Sequence, residues 1–366
     1  MTDFLDISWE IRWAVTMKYM VGYQRKDDDS LIREIFKWKE QISEVYFSWG
    51  DMPSGRGATA DRNGRVPFAE MTGQKKQLKM LSDAGISLNL LMNANCYGRD
   101  SLSGSFYCSM GDLIAYLSEE LRICSVTTTS PPLARFIKLN FSQLEVRASV
   151  NMEIGTVEGM EYLQDEFDSY YYKRELNRDI RQVELLKRWC DAHGKKLYML
   201  ANSGCLNFCS ARTFHDNLVA HEGEIFSGDH TVRFESACRR FLKRPEGREH
   251  ILSHMNFVRP EEMSYFEPYV EAAKLATRVS PRPEAIIRAY MSGGFQGNVL
   301  ELLEPNHADL FYPSVLDNER LPKDYCRRVS ECKRNCRECN YCRDAAKDAW
   351  VSIENGGISD VNQCDN

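Results

Sequence analysis

Short apolar runs alternate along the chain with amphipathic stretches of helical period, the pattern of repeated βα units around a parallel sheet. Strands are expected at Arg12–Met17, Glu44–Trp49, Ser87–Met92, Cys124–Thr128, Leu144–Val150, Phe167–Tyr172, Lys196–Leu200 and Ile251–Phe257. Helices are expected between them at Ser30–Gln41, Gln74–Ala84, Gly111–Leu121, Pro131–Phe141, Thr156–Gln164 and Arg178–His193. About eight βα units favour a (β/α)8 TIM-like barrel of the α/β class over an open doubly wound sheet. No GxGxxG follows the first strand, which argues against a dinucleotide fold.

Gly194 is placed to stop the Arg178–His193 helix, and the strand Lys196–Leu200 then runs into Asn202-Ser203-Gly204-Cys205. Loops leaving the C-terminal ends of barrel strands form the active face, so Cys205 stands where chemistry belongs. Beyond about residue 260 the pattern changes. Pro281, Pro283 and Pro305 punctuate helices and a cysteine-rich tail follows, giving a barrel over 1–280 and a C-terminal extension over 281–366.

Composition narrows the class. A net charge of −6 provides no global positive field for a phosphate backbone, so DNA is not expected. A local cluster of Arg239, Arg240, Lys243 and Arg244 leaves an RNA substrate open beside a small molecule or a peptide. The first thirty residues hold Asp3, Asp6, Glu10, Arg12 and Lys18 without an apolar run, so a cytoplasmic protein with no membrane partner is expected. The 13 cysteines are then expected to be thiols.

Two groups of them stand out. In NSGCLNFCSARTFH, Cys205 and Cys209 lie four apart after a strand, and Cys238 follows in ESACRRF. Three such thiolates can hold an iron–sulfur cluster with one iron left open. Cys332, Cys336, Cys339 and Cys342 spell CxxxCxxCxxC, a spacing suited to a four-iron four-sulfur cluster or to structural zinc. The first three also match the spacing of radical S-adenosylmethionine enzymes. Their place near the C-terminus and Glu338 before the third cysteine make that match coincidental. Cys96, Cys108, Cys124 and Cys190 are assigned to core or surface and Cys364 to the tail.

Hydrolytic signatures are absent: neither GxSxG nor HExxH occurs. A Cys–His dyad using Cys205 or Cys209 with His215 or His221 stays open, and His215 is the nearer candidate. Arg147 and Glu153, flanking the strand that ends at Val150, are candidate inward polar groups. The charges of Arg259 to Glu262 and of Glu271 to Arg278, beside short apolar stretches at the barrel's end, read as a solvated helix face and a closing strand.

The stretch KLYMLANSGCLNFCSARTFH, with Cys238, NFVRPEEM and KLATR, resembles the collagenase-like peptidase family U thirty-two over most of residues 10–280. The resemblance implies a barrel-like fold. It also implies either cysteine-ligated four-iron four-sulfur enzymes of oxygen-independent hydroxylation, acting on ubiquinone precursors or RNA bases, or peptidases. Carried onto this chain, the family's cluster cysteines fall on Cys205, Cys209 and Cys238. The tail motif then supplies a fourth ligand or, as preferred here, holds a second cluster that relays electrons from a donor protein. The leading expectation is an oxygen-independent iron–sulfur oxidoreductase. Its alternatives are a metal- or cysteine-dependent peptidase and a zinc-stapled binding protein.

Overall fold

The computed structural model describes residues 17–50, 52, 54–55, 66–222, 225, 234–354 and 357–360. Eight strands close into a parallel barrel in chain order: β1 Tyr19–Gly22, β2 Ile42–Phe47, β3 Ser87–Met92, β4 Ser125–Thr128, β5 Glu145–Ala148, β6 Ser169–Tyr171, β7 Lys196–Leu200 and β8 Ala272–Leu275. Pairing of β8 with β1, Ala273 beside Tyr19, completes the ring. The fold is a (β/α)8 TIM-like barrel.

Helices Ser30–Lys37, Phe68–Asp83, Gly104–Leu121, Pro131–Asn140, Val157–Glu161 and Ile180–Ala192 connect the first seven strands, and Pro283–Ser292 follows β8. Their starts are chemically marked. Ser103, Ser130, Thr156 and Asp179 each accept a hydrogen bond from a backbone N–H in the first turn.

Two strand expectations change. The one at Arg12–Met17 lies almost wholly outside the described residues, and the first barrel strand begins at Tyr19. The one at Ile251–Phe257 is overturned: Ile251–His254 is a helical turn, and the eighth strand is Ala272–Leu275. Ile251, Leu252 and Met255 are buried at i, i+1 and i+4, a helical spacing, whereas the lysine inside AAKL hides a real strand.

The strand pleat divides the core. Ala273 and Leu275 face the helices, while Ala272 lies inside with Met20, Tyr46, Leu91, Tyr171, Tyr198 and Leu200. The interior is also polar. Arg147 pairs with Glu44 through Nη1 to Oε1 at 2.9 Å and Nη2 to Oε2 at 3.1 Å, and with Glu145 at 2.9 Å. Ser125 Oγ donates to Glu44 at 3.1 Å, and Asn89 Nδ2 donates to Ser125 at 2.6 Å.

A second core lies beside the barrel. It joins Leu206, Leu242, Ile251, Leu252 and Met255 from the segment after β7 to Val299, Leu300, Leu316, Tyr325 and Trp350 from the chain's last quarter. A small antiparallel sheet, β9 Ser314–Leu316, β10 Trp350–Glu354 and β11 Gly357–Asp360, completes this part. The helix Pro283–Ser292, by contrast, puts Ile286 and Ile287 into the main barrel core.

Candidate active site at the barrel mouth

The pleat that sends Ala273 and Leu275 outward leaves Lys274 pointing into the barrel near its C-terminal end, where it is 7% exposed. Its ammonium lies 3.9 Å from the centre of the Tyr46 ring and 5.2 Å from that of Tyr171. Burial disfavours the charged amine and Arg278 adds repulsion, so the lysine is pulled down to about 7. A lysine so placed exchanges its proton near neutral pH, the property wanted of a general base.

A cavity of about 60 Å³ opens above it, lined among others by Tyr46, Asn93, Asn151, Arg174, Cys205, Lys274, Arg278 and Glu304. Hydrogen-bonding groups therefore converge on a hollow at the barrel face where chemistry occurs in such folds.

The rim is a chain of ion pairs. Glu153, at a left-handed φ of 56°, accepts from Arg174 at 2.8 Å and from Arg212 at 2.7 Å. Arg174 also donates to Asn151 Oδ1 at 2.8 Å, and Arg212 reaches Glu175 at 2.8 Å. Glu153 thus fixes two guanidinium groups beside the cavity. Arg147 sits deeper, 2% exposed, its guanidinium 4.3 Å from the centre of the Tyr198 ring and pairing with Glu44 and Glu145. His215 lies on the helix Arg212–Ala220 with its ring 5.4 Å from that of Phe234 and is not among the residues that line the cavity.

Cys205 reaches the cavity through the loop after β7. Asn202 Nδ2 donates to Ala276 O at 2.9 Å and to Leu302 O at 2.8 Å, pinning the loop to β8 and to the chain's last quarter. Gly204 N donates to Glu304 O at 2.9 Å, and the Gly204 carbonyl accepts from His307 Nε2 at 3.1 Å, if that nitrogen carries the proton. A Cβ on Gly204 would lie 2.2 Å from the Pro305 carbonyl oxygen, so only glycine permits this approach. Burial raises the Cys238 thiol, and Cys205 and Cys209 are close enough to raise it further. Of the three, Cys205 lines the mouth cavity, while Cys238 packs against the second core. Cys332, Cys336, Cys339 and Cys342 line a different cavity.

Among the described residues, no three Cys, His, Asp or Glu side chains converge on a point that one metal ion could occupy. No described helix is long and apolar enough to cross a membrane.

Sequence reasoning missed Lys274, Tyr46, Arg174, Arg278 and Glu304. The one legible signal was a lysine set among small apolar residues, AAKLA, in a stretch read as a solvated helix face or a closing strand, of which the strand is what the structure shows.

The fold and this mouth define a barrel of the kind whose chemistry sits at the strands' C-terminal ends. No family model matches the chain. It is 24% identical over 321 residues to an uncharacterized protease of Methanocaldococcus jannaschii, covering 86% of this chain and 90% of that protein. The solved structure of the U32 peptidase Mk0906 superposes with a TM-score of 0.51 at 14% identity, covering 75% of this chain and 96% of that one. The chain is thus similar to that protease along most of its length and shares its barrel fold with the U32 peptidase. Neither bears on an iron–sulfur branch.

Proposed function

We propose that the chain is a peptidase-type enzyme that hydrolyses amide bonds of peptides at the barrel mouth, with Lys274 as general base. The observation that carries this reading is a buried lysine held near neutrality beside a cavity rich in hydrogen-bonding groups. The protease and peptidase to which the chain is similar favour the same reaction class.

In this mechanism the neutral Lys274 amine takes a proton from water as the water oxygen bonds to the amide carbon. Negative charge developing on the carbonyl oxygen is met by the cationic and amide groups of the mouth, Arg174, Arg278 and Asn151. Collapse breaks the C–N bond, and the Lys274 ammonium returns its proton to the departing amine. Glu153 holds Arg174 in place and so acts as a positioning residue.

The test is cleavage of a defined peptide mixture, followed by the release of new amino termini. Lys274→Met is expected to abolish cleavage and C205S/C209S/C238S to leave it intact. Unchanged cleavage in Lys274→Met would overturn the assignment.

A second reading is favoured by Cys205 at the same mouth, with Cys209 and Cys238 near enough to influence each other's charge: an oxygen-independent iron–sulfur oxidoreductase. These three thiols would hold a cluster, which supplies redox or Lewis-acid chemistry when bound. Loss of both iron and activity in the triple cysteine variant, with Lys274→Met active, would select it.

A further inference from the structure

The tail cysteines belong to neither reading of the mouth. We propose that Cys332, Cys336, Cys339 and Cys342 hold an anionic four-iron four-sulfur cluster at a site of its own, with Arg178 as its buried counter-charge. This stands independently of the peptidase reading.

Size is the first argument. The four cysteines line one cavity of about 160 Å³, against roughly 10–15 Å³ for one water on the same kind of measure. Its walls come from distant parts of the chain: Arg178 before the sixth barrel helix, His250 and Ser253 from the segment after β7, and the tail itself.

Charge is the second and stronger argument. Arg178 is 3% exposed. Its Nη1 donates to the carbonyls of Leu252 at 2.6 Å and Met255 at 2.9 Å, and its Nη2 donates to Cys342 Sγ at 3.2 Å. None of these partners is a carboxylate, and no described carboxylate forms an ion pair with Arg178. Carbonyl groups satisfy hydrogen bonds without neutralising the charge, and an uncompensated buried guanidinium is strongly unfavourable.

The cavity lining repeats the imbalance. Arg178, Arg328, Lys333, Arg334 and Arg343 face it, and no Asp or Glu does. The four thiols are the groups of this lining that a metal centre would bind as thiolates, and four thiolates so close repel one another unless a metal centre draws their charge. A cluster ligated by four thiolates keeps net negative charge and so balances Arg178.

Room separates cluster from zinc. Structural zinc needs four donors about 2.3 Å from one point, whereas a cubane several ångströms across needs a wider void, and the cavity of about 160 Å³ lined by all four cysteines suits the latter. Cys326 is excluded: it is buried in the barrel core, and its N–H donates to Glu262 at 2.6 Å.

The experiment measures iron, acid-labile sulfide and zinc per chain in the full-length protein purified without oxygen. Wild type is compared with C205S/C209S/C238S and with C336S/C339S, which changes two exposed cysteines and so spares the core. The barrel variant is expected to keep about four irons and four sulfides, and the tail variant to lose that same complement. Equal iron in wild type and tail variant, zinc without sulfide in the tail, or a metal-free wild type would each overturn the proposal.

Arg178→Met supplies a second readout without removing a ligand. Loss of a neighbouring positive charge disfavours the more negative reduced cluster. The reduction potential is therefore expected to fall, with Arg178→Lys restoring it. An unchanged potential would remove Arg178 from the site.

Discussion

The Lys274 ammonium lies over the ring of Tyr46, 3.9 Å from its centre, and joins the last barrel strand to the second inside the mouth. The tyrosine hydroxyl is engaged elsewhere, donating to the Leu275 carbonyl at 2.7 Å. The lysine shares the ring with Arg278, 5.9 Å from its centre, and the ring stabilises the lysine cation by a modest amount that does not offset burial.

A rate limb follows. Activity that depends on neutral Lys274 is expected to rise with pH through about 7 and to level off above it. A kcat/KM profile from pH 5 to 9 checks this, and a flat profile would remove the lysine as base.

Lys274 also has a stability signature. Its folded value of about 7 lies below the ordinary 10.5, so between these values the unfolded chain binds more protons and stability rises with pH. Lys274→Met is expected to stabilise the fold most below pH 7 and progressively less toward pH 10.5, as read by urea denaturation across that range.

Arg147 pairs with Glu44 and Glu145 inside the barrel, so its removal strands buried carboxylates. Arg147→Met is expected to cost about 3–5 kcal/mol, with much of the loss recovered in R147M/E44Q. Denaturation midpoints of the single and double variants decide it.

Glu145 also makes stability rise with pH, but in the acid range and as a stabilising group. Burial alone would raise this carboxyl, but Arg147 and Lys196 outweigh it and hold it at about 2. Its contribution is fully present above pH 4.5 and is lost as pH falls through about 2. Wild type and Glu145→Gln should therefore differ at pH 6 and converge near pH 2 in acid unfolding curves.

Gly204→Ala places a methyl group against the Pro305 carbonyl. The expected cost is about 1–3 kcal/mol. The loop bearing Cys205 must shift, so a change in the alkylation rate of that thiol is expected alongside the stability loss.

Much of the barrel was legible because each central strand is a short apolar run bounded by caps and turns. Ser87–Met92 and Lys196–Leu200 occupy the residues that their hydrophobicity predicts. The eighth strand was only half legible, as a possible closing strand within Glu271–Arg278, because a buried lysine looks polar in a sequence, and the apolar segment Ile251–Phe257 imitates a strand while packing as a helical turn.

Residue type and spacing along the chain determined by themselves that Cys205 follows a strand and that four cysteines crowd the tail, since these are local facts. Only the tertiary structure decided that Lys274 loses its water, that Glu153 clamps Arg174 and Arg212, and that Arg178 meets Cys342 across 164 positions. Desolvation and charge pairing depend on which distant segments share a cavity, and that is settled by barrel closure and by the second core packed against it.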